Sequence, residues 1–364
     1  MKLLAVLGTR PEAIKMAPLL LALREEKEVE LRLCVTGQHR EMLDPVLALF
    51  GLEADFDLDL MDGGQSLNAL AGRCLGALDR VFDEAEPERI LVHGDTTTAM
   101  AAAVAAFHRG LPVGHVEAGL RTGDLSQPFP EEMNRRAIDM VSDLLFAPTP
   151  GAKRNLEAEG VTGRIFVTGN SGIDALELAH AIEGVEPLPT LDSARRLVLV
   201  TGHRRESFGA GLKSICAALA ELALRQDVEI VYPVHLNPAV RGPVEEALRG
   251  VPNVRLLAPL DYVPLVRLMQ RAALILTDSG GIQEEAPSLG TPVLLTRDVT
   301  ERPEGIEAGF ARLVGTDKER IVREASAVLD GAASFARGPN PYGDGRASAR
   351  IVAALLGREF EAFA

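Results

Sequence analysis

Residues 277–290, with the sequence TDSGGIQEEAPSLG, constrain the fold of this chain more than any other stretch. Apolar segments flank them at residues 273–276 and 292–295, and both have the length and composition of buried parallel strands. Between the two segments, a pair of glycines leads into a sequence compatible with a short helix. The pattern therefore predicts a strand, a glycine turn, a helix and a second, parallel strand.

Ser279, Gly280 and Gly281 lie where this helix is predicted to begin. Two residues without a side chain allow an anion to approach the backbone N–H groups and the positive end of the helix, so the turn is suited to a phosphate group. The same residues also fit a simple turn in which Ser279 only caps the helix. Glu285 follows in the helix, where a carboxylate can accept hydrogen bonds from a ribose.

Eight further apolar segments repeat this pattern along the chain and predict an α/β protein with parallel strands. They are residues 3–7, 31–35, 89–93, 112–116, 164–168, 197–201, 228–232 and 254–257. A chain of 364 residues suits two domains, and residues 183–193 are predicted to be the linker. We expect an N-terminal domain at 1–170, a C-terminal domain at 171–345, and a helix at about 346–364 that packs back on the first domain.

Cations follow the first apolar segment of each half. Arg10 and Lys15 flank the start of a predicted helix in GTRPEAIK, and His203 and Arg204 occupy the equivalent position in GHRRESFG. Arg302 lies in a later loop. Because ligands of open α/β sheets bind at the carboxyl ends of the strands, these cations indicate an anionic ligand.

Three carboxylates lie at neighbouring strand ends or in adjoining loops. Asp95 follows segment 89–93, Glu117 follows segment 112–116, and Glu131 begins a predicted helix. Asp95 could instead cap the next helix, and Glu131 could only complement a helix dipole. Together the three carboxylates favour one catalytic site.

Charge and composition exclude several classes of protein. A net charge of −14 argues against non-specific binding to nucleic acid or to an anionic membrane. No apolar run approaches the ~18 residues of a membrane span, and residues 1–7 lack the features of a signal peptide. Three widely spaced cysteines fit neither a disulfide framework nor a zinc site. No G-x-G-x-x-G motif, which would favour a tightly held NAD, follows the first apolar segment of either half. We expect a cytoplasmic enzyme that needs neither a metal nor a redox cofactor.

Ten motifs together resemble the non-hydrolysing UDP-N-acetylglucosamine 2-epimerase family. In chain order they are GTRPEAIKMAPL, QHREML, VHGDTTTA, GHVEAGLRTGD, PEEMNR, TGHRRESFG, YPVHLNP, LTDSGGIQEEAPSLG, TERPEG and NPYGDG. The resemblance implies two Rossmann-like domains with a cleft between them, as in GT-B glycosyltransferases, and a homodimer. It also implies reversible conversion of UDP-N-acetylglucosamine (UDP-GlcNAc) to UDP-N-acetylmannosamine (UDP-ManNAc), a precursor of bacterial surface polysaccharides.

The resemblance further implies roles for individual residues. The expected catalytic group is Lys15, Asp95, Glu117, Glu131 and His203. The expected contacts to the diphosphate and nucleotide are Arg10, Arg204, Ser279, Gly280, Gly281 and Arg302. Glu285 is expected at the ribose, and Leu260 and Leu265 at the uracil. Lys15, Asp95, Glu117 and His203 are also expected to contact the substrate.

The chemistry of the sugar is compatible with these residues. The proton on carbon 2 is not next to a carbonyl group, so a carboxylate cannot readily remove it unless the bond from carbon 1 to UDP breaks as well. Loss of UDP would give 2-acetamidoglucal, and readdition would need a second acid on the opposite face. Three alternatives stay open: a hydrolysing epimerase, a GT-B glycosyltransferase and a sensor that only binds a sugar nucleotide.

Overall fold

The computed structural model of the chain describes residues 1–37, 40–60, 64–182, 191–202 and 208–364, without the side chains of residues 40–42. Two compact units are present. Unit 1 comprises Met1–Glu177 together with Tyr342–Ala364, and unit 2 comprises Leu178–Pro341. Most of the predicted linker lies outside the described residues.

Unit 1 is built around a parallel sheet, which has seven strands among the described residues. The strands are β1 Lys2–Leu7, β2 Glu30–Val35, β3 Phe56–Asp57, β4 Arg89–His93, β5 Val113–Val116, β6 Leu144–Ala147 and β7 Arg164–Val167. The helices are α1 Arg10–Arg24, α2 Arg40–Leu49, α3 Leu67–Ala85, α4 Thr97–His108, α5 Glu131–Val141, α6 Pro150–Glu159, α7 Ser171–Ala181 and, near the C-terminus, α14 Ala347–Leu355. α7 runs past the boundary of this unit.

Unit 2 contains a second parallel sheet, with six strands among the described residues. The strands are β8 Arg196–Thr201, β9 Val228–Pro233, β10 Val254–Leu257, β11 Leu274–Thr277, β12 Val293–Leu295 and β13 Ala311–Leu313. The helices are α8 Ala210–Leu222, α9 Pro238–Leu248, α10 Tyr262–Arg271, α11 Gly280–Leu289, α12 Glu304–Glu307 and α13 Lys318–Leu329.

The two sheets have equivalent strand orders. Unit 1 has the order β3-β2-β1-β4-β5-β6-β7, and unit 2 has β10-β9-β8-β11-β12-β13. In each sheet the first strand lies beside the fourth, and the order reverses direction at that point, as in Rossmann folds. The prediction of an α/β protein with two Rossmann-like domains is confirmed.

The strands next to these reversals have unbroken apolar sequences because they are covered on both faces. Leu4 and Val6 of β1 are fully buried in one core cluster with Val92 of β4. In unit 2, β11 pairs with β12 through Ile275 and Val293, so the predicted strand, helix and parallel strand around residues 277–290 are confirmed.

The segment after unit 2 completes unit 1. Helix α14 packs against α1, and Asp174 caps its start by accepting hydrogen bonds from the backbone N–H of Ala347 at 3.2 Å and of Ser348 at 2.8 Å. The backbone N–H of Asn170 donates to the carbonyl of Tyr342 at 2.8 Å. Within the described ranges, no helix combines the length and apolar character needed to cross a membrane.

Candidate active site

A buried ion pair joins α1 to the end of β5. Lys15 Nζ contacts Glu117 Oε2, and the two side chains are only 8% and 7% exposed. Asn170 Nδ2 donates to the same carboxylate oxygen at 3.4 Å. A charge pair removed from water to this extent needs close contact and further hydrogen bonds to offset its desolvation. The Glu117 carboxylate is therefore held in a defined position.

The backbone of Glu117 adds a second constraint. Its φ is 69°, in the left-handed region, which costs a residue other than glycine roughly 1–2 kcal/mol. Gly119 has a φ of 85°, and a Cβ there would lie 2.4 Å from the carbonyl oxygen of Ala152. The turn after β5 is consequently strained at Glu117 and closely packed at Gly119.

Asp95 lies just after β4 and is held by α5. Arg135 Nε donates to Asp95 Oδ2 at 3.1 Å, and Nη2 contacts the same oxygen. Asn134 Nδ2 donates to the Asp95 carbonyl at 2.9 Å. The cap of α4 is Thr96, whose Oγ1 accepts from the backbone N–H of Ala99 at 3.0 Å. The alternative in which Asp95 caps the helix is therefore wrong.

Glu131 and Glu132 both begin α5 but have different environments. Glu132 is completely buried and accepts a hydrogen bond from the backbone N–H of Thr122 at 3.1 Å, while Arg135 Nη1 lies 3.2 Å from it. Glu131 is only half-buried. Arg135 follows Glu131 by about one helical turn and binds Asp95. The helix that Glu131 begins therefore lies beside Asp95.

Glu12 fixes the turn that carries Arg10. Its Oε2 accepts from the backbone N–H groups of Gly8 at 3.0 Å and Thr9 at 2.6 Å, and its Oε1 accepts from Thr96 Oγ1 at 2.8 Å. Burial raises the pKa of Glu12 to about 7, although these hydrogen bonds lower it. The carboxyl group thus ties the turn after β1 to the start of α4.

His93 is a residue of this region that the sequence analysis missed. Its Nε2 lies 3.9 Å from Glu117 Oε2 and has no hydrogen-bond partner among the described residues. Burial lowers the pKa of His93 to about 4, and Lys15 lowers it further while Glu117 opposes the shift. The imidazole is therefore neutral near pH 7. Its position as the last residue of β4 was the available sequence signal.

In unit 2, the turn from β11 into α11 has the features of an anion site. Ser279 occupies the N-cap position, but its side chain makes no capping hydrogen bond, so the structure does not support a role limited to capping. Among the described residues, a Cβ on Gly281 would have only Ser279 Oγ within 4 Å, at 3.9 Å. Open space and the positive end of a helix thus coincide at this turn.

Arg302 lies directly against the same turn. A Cβ on Gly280 would lie 2.6 Å from Arg302 Nη1, so only glycine leaves room for the guanidinium group. The carboxylates of Glu284 and Glu301 contact Arg302 on its buried side. Gln283 Nε2 donates to the Arg302 carbonyl at 2.7 Å. Arg302 is therefore held in place beside the turn.

Glu285 lies further along α11 and is buried. Its Oε1 accepts a hydrogen bond from the Tyr262 hydroxyl at 3.2 Å. Burial raises the pKa of Tyr262 well above its usual value, so the hydroxyl keeps its proton and donates. Leu260 and Leu265 are half-buried and pack at the edge of a core cluster of unit 2. The sequence analysis did not identify Tyr262 as a partner of Glu285.

The predicted residues thus form two groups, one in each unit. The group at the carboxyl ends of β1, β4 and β5 and the start of α5 contains Arg10, Lys15, Asp95, Glu117 and Glu131. The group around β11, α10 and α11 contains Leu260, Leu265, Ser279, Gly280, Gly281, Glu285 and Arg302. His203 and Arg204 lie outside the described residues.

Comparisons with known proteins cover almost the whole chain. A sequence model of the family described as UDP-N-acetylglucosamine 2-epimerase matches residues 21–356. The UDP-N-acetylglucosamine 2-epimerase of Escherichia coli (strain K12) is 53% identical over 369 residues, which cover 98% of this chain and 98% of the relative.

Two solved structures have the same fold. The UDP-GlcNAc 2-epimerase of Neisseria meningitidis bound to UDP-GlcNAc has a TM-score of 0.95 and 45% identity, and covers 98% of this chain and 100% of its own. The Methanocaldococcus jannaschii UDP-GlcNAc 2-epimerase in complex with UDP-GlcNAc and UDP has a TM-score of 0.86 and 33% identity, with coverage of 98% and 100%.

Proposed function

This chain belongs to the UDP-N-acetylglucosamine 2-epimerase family, and from that premise we propose that it interconverts UDP-GlcNAc and UDP-ManNAc by inverting carbon 2 of the sugar. The relatives bound to UDP-GlcNAc support the choice of substrate. The observation that carries the proposal is the buried contact of Lys15 with Glu117. Glu117 directly follows β5, which pairs with β4, the strand before Asp95.

The proposed reaction is an elimination followed by a readdition. A carboxylate takes the proton from carbon 2 while the bond between carbon 1 and the UDP oxygen breaks. The C–H electrons form the double bond of 2-acetamidoglucal, and the electrons of the C–O bond leave with UDP. UDP then attacks carbon 1 again while an acid returns a proton to the other face of carbon 2. No water is consumed, so the enzyme is of the non-hydrolysing type.

The unit 1 residues are assigned to the proton transfers. Glu117, Asp95 and Glu131 are the candidate bases and acids, because an epimerisation needs carboxyl groups on both faces of carbon 2. Lys15 places a positive charge against Glu117, and Arg135 does the same for Asp95. These two contacts orient the carboxylates before substrate binds. His203, which belongs to the unit 2 part of the chain, is proposed to join this catalytic group.

The unit 2 residues are assigned to the nucleotide. The turn at Ser279, Gly280 and Gly281 offers backbone N–H groups to the diphosphate, which takes up negative charge as the bond to carbon 1 breaks. Removing one such donor costs about 3 kcal/mol in comparable sites. The other proposed contacts are Arg10, Arg204 and Arg302 at the diphosphate, Glu285 at the ribose, and Leu260 and Leu265 at the uracil.

Incubation of the purified protein with UDP-GlcNAc alone tests this function. We expect UDP-ManNAc as the product, at a fixed ratio to remaining UDP-GlcNAc. A hydrolysing epimerase would release free N-acetylmannosamine and UDP. A glycosyltransferase without an acceptor, or a protein that only binds the sugar nucleotide, would leave the substrate unchanged.

Isotopes test the mechanism in the same assay. In heavy water we expect deuterium at carbon 2 of UDP-ManNAc and, after repeated turnover, of recovered UDP-GlcNAc. An oxygen-18 label in the bridge between the sugar and the diphosphate should scramble into non-bridging positions, because free UDP can rotate before readdition. Epimerisation with neither result would contradict the elimination.

We also propose that the protein is a homodimer that acts in the cytoplasm and supplies UDP-ManNAc for surface polysaccharides. Exposed apolar side chains on α4 and α5 support association through these helices. Phe107 is 59% exposed, Met133 44% and Met140 75%, and buried pairs of such side chains stabilise dimers. Sedimentation of wild type and Met140→Glu at equal concentration tests the dimer, since the variant should dissociate more readily.

A further inference from the structure

Asp139 of α5 is a buried carboxylate that has no role in the proposed proton transfers. It is 1% exposed. Its Oδ1 lies 2.6 Å from His115 Nδ1, and its Oδ2 accepts hydrogen bonds from Arg121 Nη2 at 2.7 Å and from the backbone N–H of Gly119 at 3.3 Å. Burial alone would raise the pKa of Asp139, but His115 and Arg121 hold it below its usual value. A single charged group thus contacts one residue of β5 and two residues of the loop that follows it.

These three residues surround Glu117 in the chain. His115 precedes it by two residues, Gly119 follows it by two, and Arg121 follows it by four. Glu117 has its φ in the left-handed region, and such a conformation persists only where surrounding contacts enforce it. Asp139 links both sides of this strained residue to the same helix.

The same network reaches the other catalytic strand. His115 Nε2 lies 2.7 Å from the carbonyl oxygen of Gly94, which is the residue before Asp95. Gly94 has a φ of 66°, and it lies directly after β4. Contacts that begin at Asp139 therefore extend to the backbone next to Asp95 as well as to the turn at Glu117.

We propose that Asp139 is a positioning residue that clamps the turn at residues 115–121 and thereby holds the Glu117 carboxylate against Lys15. Because Asp139 is buried on α5, it acts through Glu117 and does not touch the substrate. The kinetic test of this inference rests on the proposed function. The structural test does not depend on that function.

The kinetic test compares wild type with Asp139→Asn in the UDP-GlcNAc assay. Asparagine keeps the shape but replaces one acceptor oxygen by a donor, which would face Arg121 and Gly119. We expect kcat to fall about 100-fold, the effect of a small misplacement of a reacting group. KM and the affinity for UDP should change by less than about threefold, because the substitution does not alter contacts that bind substrate and transition state equally.

The Glu117→Gln background separates positioning from general damage. If Asp139 acts through Glu117, adding Asp139→Asn to Glu117→Gln should reduce kcat by less than about threefold, since effects along one path are not additive. An equal loss in both backgrounds would overturn the proposal. Glu229→Gln is the matched control: it also removes a buried carboxylate that contacts an arginine and accepts a backbone hydrogen bond, and kcat should not change.

Crystal structures of wild type and Asp139→Asn provide the independent test. We expect the variant to lose the contact of Glu117 with Lys15 and the left-handed φ of residue 117. If the position and φ of Glu117 are unchanged in the variant, the proposal is overturned, whether or not wild type has epimerase activity. If Glu117 moves as expected but wild type is inactive, only the proposed function is contradicted. If Asp139→Asn does not fold, Arg121→Met removes a partner of the same carboxylate and is subjected to both tests.

Discussion

The two units share a strand order but place different chemistry at equivalent strand ends. In unit 1, β4 and β5 lead into carboxylates that are bound by buried cations, Arg135 at Asp95 and Lys15 at Glu117. In unit 2, β11 leads into a glycine turn where, among the described residues, the side chains of Arg302 and Ser279 lie nearest the two glycines. The fold supplies a position for ligands in both cases, and the residue types decide what each position can do.

Charge is also distributed differently in the two units. Lys15 and Arg135 of unit 1 lie against proposed reacting groups. Arg302 lies at the turn of unit 2, and its charge is balanced by Glu284 and Glu301. The comparison therefore predicts that substitutions of the unit 1 carboxylates change turnover, whereas substitutions at the unit 2 turn change the binding of UDP.

The largest effects are expected from the carboxylates of unit 1. Asp95→Asn, Glu117→Gln and Glu131→Gln should each lower kcat by about 1,000-fold, within the usual range for loss of an acid or base. Their affinity for UDP, measured by calorimetry, should stay close to that of wild type. Wild-type turnover in all three variants would contradict the assignment, and a loss of UDP binding would break the distinction between the units.

The next effects should come from the turn in unit 2. Gly281→Val fills the open space beside the turn, and Arg302→Ala removes the cation next to it. Each should weaken UDP binding by about 3 kcal/mol, as for other lost anion contacts. Gly242→Val is the matched control, because Gly242 lies in α9 and, apart from its own helix, no atom of the described residues lies within 4 Å of its Cβ position. Unchanged UDP affinity in both test variants would contradict the phosphate site.

His93, the last residue of β4, makes the stability of unit 1 depend on pH. Thr277, the last residue of the equivalent strand β11, has no ionisable side chain and cannot have this effect. Burial lowers the pKa of His93 to about 4 from 6.5. Between these values the unfolded chain binds a proton that the folded chain does not, so stability falls as pH falls through this window.

The corresponding variant is His93→Gln. In wild type, His93 should lower the free energy of unfolding by about 3 kcal/mol between about pH 7 and pH 4, at about 1.4 kcal/mol per pH unit. In His93→Gln this part of the pH dependence should be lost. Denaturant titrations at both pH values measure this difference. His108→Gln, at an exposed position at the end of α4, is the control. An identical pH dependence in wild type and His93→Gln would contradict the prediction.

The smallest effect is expected at Tyr262, which orients Glu285 through a hydrogen bond of 3.2 Å. Tyr262→Phe removes that bond and should weaken UDP binding by about 1 kcal/mol, the usual value of one hydrogen bond. Turnover at saturating UDP-GlcNAc should not change. A lower kcat with unchanged affinity would place Glu285 in the catalytic group instead of the nucleotide site.

Much of the fold was predictable because long buried strands leave apolar runs in the sequence. Strands β3 and β13 were not predicted, since Phe56–Asp57 and Ala311–Leu313 are too short to show a periodic pattern. Strand β6, Leu144–Ala147, was also missed although its sequence LLFA is apolar. The ends of the longer strands were easier to predict than the short strands, since the sequence shows a polar residue directly after such an apolar run.

The contacts that orient the candidate residues were not predictable in the same way. Arg135 binds Asp95 across 40 positions of sequence, and Asn170 binds Glu117 across 53. No local pattern indicates such partners, because they depend on which strands become neighbours. His93 was missed for the same reason, as its contact with Glu117 exists only once β4 and β5 are paired.

The return of the chain from unit 2 to unit 1 has a consequence for synthesis on the ribosome. The backbone of Asn170 is held by the carbonyl of Tyr342, and the side chain of Asn170 contacts Glu117. Residues 342–364 are made only after all of unit 2. A nascent chain can therefore form the first sheet early but must wait for residues 342–364 before the carboxylate of Glu117, a proposed catalytic group, is fully supported.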